Sequence, residues 1–249
     1  MNRSAFYASV RRRASGVFGT SLSQSQVQGV EAILDEAERR GTPLRHLAYI
    51  IATAYHESAH TMQAVRETLA KTDDGAIRAL ESAWKRGKLP WVKTPYWRKD
   101  ANGKSWFGRG LVQITHHPNY SKLGLLIGVD LVKDPSKALE LSTAIKILFT
   151  GMELGSFAGK SLSEYIRDGR ADYEGARRIV NGTDKAALIA GYAKAFEKAL
   201  RDAAYIGKAT QPPAIPIPEP KPVEPEKPLS SPKAQLLPAI GFRLCSPSS

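Results

Sequence analysis

Apolar positions recur along the first two hundred residues at helical spacing. Val27, Val30, Leu34 and Ala37 follow Ser23 at intervals of three and four, which predicts a helix capped by that serine. Thr42-Pro43 supplies a cap and a first-turn proline, and Leu44, Leu47, Ile51 and Ala54 form a second stripe behind it. A third helix is predicted from Ser136, after Asp134-Pro135, through Ala138, Leu141, Ile145, Leu148 and Met152. Ser161 with Glu164 spells a capping box, and Asp184 opens a last helix through Leu188, Tyr192, Ala195 and Ala199. The stretch from Pro90 to Phe107 breaks this rhythm: it is aromatic-rich and non-periodic, and its Asn102-Gly103 pair is a strong hairpin signal. A mainly α domain is therefore expected, with a small antiparallel β lobe and a groove between lobe and helices.

Composition changes the picture near residue 207. Eleven of the sixteen prolines fall from Thr210 onward, which reads as an extended or disordered tail over 210–249 behind one domain over 1–209. The tail carries a charge of only +1 out of the +12 of the chain, so the domain itself is strongly basic and suited to a polyanionic partner. Cys245 is the only cysteine, which excludes an internal disulfide and a cysteine-based metal cluster. The longest nearly unbroken apolar run, Leu47 to Tyr55, is far short of the ~20 residues of a membrane-spanning helix. Behind Arg11-Arg12-Arg13 no apolar signal-peptide core follows, and that arginine run reads as a solvated face. Synthesis in the cytoplasm is expected.

Three strings carry chemistry. His56-Glu57-Ser58-Ala59-His60 fits the HExxH pattern of zinc peptidases, but Gln63 and Arg66 stand where the extended pattern needs Gly and a third His, leaving Glu81 as the convenient third ligand. On the helical wheel Glu57 lies at the margin of the apolar stripe, where burial favours a protonated carboxyl fit for a general acid; its bland alternative is a charged residue at a helix end. His56 points away from Glu57, whereas His60 is one turn from it and within reach of a hydrogen bond. Ten residues on, Glu67 stands in a loop as a candidate solvated base. Trp106-Phe107-Gly108-Arg109-Gly110 then leads to Gln113 and Thr115, combining flat faces, a flexible backbone and groups that can bind sugar hydroxyls or hold a water.

In order, His56-Glu57-Ser58, Arg66-Glu67-Thr68, Phe107-Gly108-Arg109-Gly110 with Gln113 and Thr115, Asn119-Tyr120, and Val180-Asn181-Gly182 resemble family 19 glycoside hydrolases. The chain also resembles the short phage and prophage endolysins of that group, and the resemblance extends over about residues 5 to 204. It implies a lysozyme-like, mainly α fold and inverting hydrolysis of β-1,4 bonds between N-acetylated amino sugars. Glu57 matches the general acid, Glu67 the general base and Thr115 a water-holding residue. Gln113, Asn119 and Asn181 match sugar-binding positions, and Tyr96, Trp106 and Arg109 complete the candidate substrate-binding set. No metal or organic cofactor is implied.

The departures from the family narrow the expectation. Its chitinases have a longer stretch between the two glutamates and several disulfides, so the short stretch here shifts the expected substrate from chitin to peptidoglycan. They also carry an arginine after the Asn-Gly pair that joins the ion network of the acid, whereas here Lys185 is the nearest base. The resemblance implies a monomeric muramidase-type endolysin that acts on the wall in the periplasm and needs a holin for release. It implies no nucleic-acid partner and no stable membrane insertion. A chitinase, an HExxH zinc peptidase and a non-catalytic basic wall-binding protein are the alternatives.

Overall fold

The computed structural model describes residues 1–167 and 169–207, and the expected proline-rich tail lies outside them. The described chain is mainly helical, and the expected mainly α architecture is observed. Helices α1 (Arg3–Val10), α2 (Gln24–Arg40), α3 (Leu44–Glu57), α4 (Asp73–Lys85), α5 (His117–Ile127), α6 (Leu141–Glu153), α7 (Leu162–Tyr165) and α8 (Ala186–Asp202) are joined by four two-residue strands and short 3-10 turns. The strands pair in two antiparallel ribbons, β1 (Val65–Arg66) with β2 (Arg109–Gly110), and β3 (Ile166–Arg167) with β4 (Arg170–Ala171). No described helix is long and apolar enough to cross a membrane.

Two apolar clusters organise these elements. In the larger one, α3 is buried along nearly its whole length, from Leu47 to Tyr55, and packs chiefly on α8, which also receives α1. That position explains why its pattern is almost continuously apolar rather than a narrow stripe. The smaller cluster gathers Ala76, Leu80 and Ala83 of α4 with Leu89, Val92, Trp97 and Phe107. Phe107 belongs to the small cluster and Leu111 to the large one, so the backbone crosses between the two cores at Gly108–Gly110.

Local signals set most helix starts. Ser23 caps α2 in a reciprocal box with Gln26, and Ser161 does the same with Glu164 for α7, each worth about 1 kcal/mol. Elsewhere the structure corrects the pattern. Thr42 does not cap α3: Pro43 occupies the cap position, and the buried Thr42 hydroxyl has no partner. The helix predicted from Ser136 is broken at Glu140 into a 3-10 turn over Pro135–Leu139, capped by Asp134, and α6. Helix α8 begins two residues after Asp184 and turns a different face inward. Ile189, Ala193, Phe196 and Leu200 are buried there while Leu188 is 45% exposed, because α8 is flanked by both α1 and α3.

The β element expected over Pro90 to Phe107 is not formed. Asp100 closes the Asn102-Gly103 turn by accepting the amides of Asn102 and Lys104, but no ladder follows. The aromatic residues pack as a loop instead. Trp97 is buried on α4 and donates to Glu81, and the Trp106 indole donates to Asp100 at 3.0 Å. The arginines at 11, 12 and 13 are exposed, as expected of a solvated face.

Candidate functional site

Glu57 is the last residue of α3, and its side chain is only 2% exposed. A carboxylate there faces the negative end of the helix dipole, and a buried one needs a charge partner. Arg177 supplies it: its Nη1 donates to Glu57 Oε1 at 2.5 Å, and the arginine itself is 1% exposed. Asp172 starts the 3-10 turn Gly175–Ile179 by accepting the Gly175 amide, and Arg177 Nε donates to the Asp184 carbonyl. The guanidinium is thereby aimed at the end of α3. The burial expected of Glu57 is observed, and the carboxyl is paired with an arginine inside the protein. The cation comes from before Asn181-Gly182 rather than after it, and Lys185 takes no part in the pair.

The chain leaves α3 through a braced loop. Ser58 accepts the Met62 amide on its hydroxyl, Gln26 donates to the His60 carbonyl, and Gln63 donates to that of Ser25. A Cβ on Gly29 would lie 1.9 Å from the Met62 carbonyl oxygen, so α2 and the loop touch backbone to backbone. Ala59, His60 and Met62 have positive φ, as do Thr68 and Leu69 beside Glu67 and Gln113 and His116 around Thr115. Non-glycine residues held there carry strain of order 1–3 kcal/mol each, and such strain gathers at functional sites.

This loop ends the HExxH geometry. The helix stops at Glu57, and the His60 ring stacks on Tyr55 with centroids 4.1 Å apart and does not bond Glu57. His56 and His60 therefore do not share one helical face, and Glu81 is taken by Arg98 and Trp97. Among the described residues no group of three His, Cys, Asp or Glu could hold a metal ion.

Glu67 follows β1 at the crossing between the two cores. It is half-buried, not solvated, and both carboxylate oxygens are held: Tyr96 donates its hydroxyl to Oε1 at 2.7 Å, and the Gly108 amide donates to Oε2 at 2.7 Å. The Glu67 amide returns a bond to the Gly108 carbonyl at 2.7 Å. Burial pushes the Glu67 carboxyl above the usual carboxylate range, opposed by these two bonds and by the charge of Arg109. Gly108 is closely covered: a Cβ would lie 2.8 Å from Gln113 Oε1 and 3.2 Å from Glu67 Oε2.

The other candidate residues divide into two groups. Gln113 donates from Nε2 to the Val65 and Gly110 carbonyls, while its buried Oε1 has no partner. Asn181 is buried with its Nδ2 unpartnered. Leaving such groups without a partner inside the protein is costly. Thr115 is nearly buried, and Asn119 at the start of α5 donates to its carbonyl. Tyr96 reaches Glu67. By contrast, Trp106 and Arg109 are framework. Trp106 packs its ring on Tyr120 and His117, and Arg109, 2% exposed, bonds Asp73, Ser105 and Tyr120. A flat ring and a cation beside glycines suggest sugar contacts, but both are spent inside the protein. Asp73 and Arg177 were not among the candidates. In the sequence Arg177 stands beside a second arginine, Arg178, between the apolar Ala176 and Ile179-Val180.

Residues 60–150 match the family model described as chitinase class I, of glycoside hydrolase family 19. The match includes Glu67, Tyr96, Gln113, Thr115 and Asn119 and leaves out Glu57, Arg177 and Asn181. A solved structure of chitinase C from Streptomyces griseus HUT6037 superposes with a TM-score of 0.48 at 15% identity, covering 82% of this chain and 93% of that one. A chitinase C mutant gives 0.49 at 14% identity, covering 84% and 95%. By the family match the chain is a glycoside hydrolase.

Proposed function

We propose that this protein is a peptidoglycan glycosidase of the muramidase-endolysin type, cleaving β-1,4 bonds between N-acetylated amino sugars with inversion. The observation that carries the reading is the unlike surroundings of Glu57 and Glu67. Both oxygens of Glu67 accept protein donors, an arrangement suited to a carboxylate, and its raised proton affinity makes it a stronger base. Arg177 holds Oε1 of Glu57, which leaves Oε2 as the oxygen to carry a proton to the leaving glycosidic oxygen. In the inverting scheme Glu67 takes a proton from a water that attacks the opposite face of the sugar, and Thr115 aims that water. Gln113 and Asn181, at the sugar-binding positions the resemblance implies, meet the substrate; no cofactor is required.

Three features favour peptidoglycan: the ten-residue interval between the glutamates, the lack of disulfides, and the strongly basic domain, which suits a wall bearing carboxylates and phosphates. In this reading the protein is a monomer, takes no nucleic acid, and reaches its periplasmic substrate through a holin. Chitin is the second reading, favoured by the description of the matched family. Purified peptidoglycan and chitin are each incubated with the protein, and the soluble products are analysed by mass spectrometry. Muropeptides with new reducing-end N-acetylmuramic acid, absent with Glu57→Gln and Glu67→Gln, are expected. Products from chitin alone support the second reading, and turnover by Glu57→Gln refutes the assignment of the acid.

A further inference from the structure

Two arginines face each other across the β1–β2 ribbon, Arg66 opposite Arg109. Like charges in that position repel, yet one carboxylate joins them. Asp73, at the first turn of α4, accepts Arg66 Nε on Oδ1 at 2.6 Å and Arg109 Nη2 on Oδ2 at 2.7 Å. Arg66 immediately precedes Glu67 and Arg109 immediately follows Gly108, the two residues that exchange the short bonds described above. The guanidinium of Arg109 lies 3.7 Å over the Phe107 ring, and its Nη1 donates to the Ser105 carbonyl and the Tyr120 hydroxyl. Tyr120 in turn donates to the Phe107 carbonyl. Every bond in this set ends on a residue of the turn that presents the Gly108 amide or on the strand that presents Glu67.

We propose that Asp73 and Arg109 are positioning residues for Glu67, acting through the ribbon and through charge, and that neither touches the substrate. Asp73 fixes the register at which the carboxylate meets Gly108. Arg109 places a dry positive charge beside it. The charged or titratable groups around Glu67 are Tyr96 from the aromatic loop, with His116 against its ring at 4.5 Å, Arg66 on β1, Arg109 on β2, Asp73 on α4 and Tyr120 on α5. Removing Arg109 takes away a charge that lowers the proton affinity of Glu67, so its titration moves to higher pH. Neutralising Asp73 leaves Arg66 and Arg109 uncompensated, so the titration moves to lower pH. A simple fold brace weakens stability in both variants and gives no opposed shifts.

The catalytic consequence rests on the proposed role of Glu67 as base, whereas the titration does not. In the full chain labelled with glutamate bearing ¹³C at the side-chain carboxyl, the Glu67 signal is identified by its loss in Glu67→Gln and titrated in the wild type, Asp73→Asn and Arg109→Met. Opposite displacements of the midpoint are expected, down for Asp73→Asn and up for Arg109→Met. Unmoved midpoints, or displacement in the same direction, overturn the proposal. If Arg109→Met does not fold, Arg109→Lys replaces it; the retained charge is expected to keep the midpoint near wild type, and a large rise overturns the charge argument. On peptidoglycan, Asp73→Asn is expected to lose about ten- to a hundredfold in kcat with KM changed less than about twofold. A wild-type kcat in Asp73→Asn refutes positioning, whereas an inactive wild type refutes the proposed function and leaves the titration result standing.

Discussion

Glu57 and Arg177 form an ion pair at 2.5 Å with both side chains essentially removed from solvent, joining the end of α3 to the 3-10 turn 120 residues later. Neither charge has water to fall back on. Breaking such a pair from one side costs about 3–5 kcal/mol, because the remaining charge stays buried. Arg177→Met is therefore expected to lower stability by that amount in denaturant titration. The double variant Glu57→Gln/Arg177→Met is expected to regain most of it, which a double-mutant cycle reads directly.

Glu67 is expected to behave oppositely. Its carboxyl has a raised pKa in the folded protein, so the ionised form is disfavoured there, and stability falls as pH rises from the unfolded carboxylate value through the folded one. Glu67→Gln removes that cost while retaining an acceptor for the Gly108 amide. Its Tm at neutral pH is expected to rise by about 2–4 °C although hydrolysis is abolished. Calorimetry on the two Gln variants thus separates two glutamates that activity assays cannot.

The same shift sets the acidic limit of activity. A base must be ionised, so kcat/KM falls as pH drops through the Glu67 value, and the acidic limb is expected above the ordinary carboxylate range. A pH profile on soluble peptidoglycan fragments measures it. A limb at an unshifted carboxylate pKa contradicts the half-buried setting of Glu67.

Gly108→Ala tests the spacing between Glu67 and Gln113. Its methyl group meets Gln113 Oε1 at 2.8 Å and Glu67 Oε2 at 3.2 Å, so the Gln113 amide must shift and the carboxylate must give by a few tenths of an ångström. A loss of kcat by about a hundredfold is expected with little loss of fold, measured as reducing ends released alongside a thermal melt.

Much of this architecture was written in local patterns. Ser23 with Gln26 and Ser161 with Glu164 declare their helix starts because both halves of each box lie within four residues. The order of the motifs around Glu57, Glu67, Gln113, Thr115 and Asn181 pointed to a glycosidase. What the sequence concealed depends on contacts between distant segments. Which face of α8 is buried depends on α1 and α3 lying on it, so Leu188, expected on the buried stripe, is exposed and its neighbour Ile189 is buried. Ile189→Ala is expected to cost about 2–5 kcal/mol and Leu188→Ala less than about 0.5 kcal/mol, checked by urea unfolding. Arg177, Asp73 and the inward turn of Trp106 and Arg109 were hidden for the same reason. A charge looks solvated in sequence until its partner is folded against it.

The proposed single displacement by Glu57 and Glu67 at a β-1,4 bond fixes the configuration of the first product. Proton NMR of a soluble peptidoglycan oligosaccharide, recorded within seconds of adding enzyme and before mutarotation, reads the new anomeric proton. The α-anomer is expected first, and from neither Gln variant; initial formation of the β-anomer rules out single displacement.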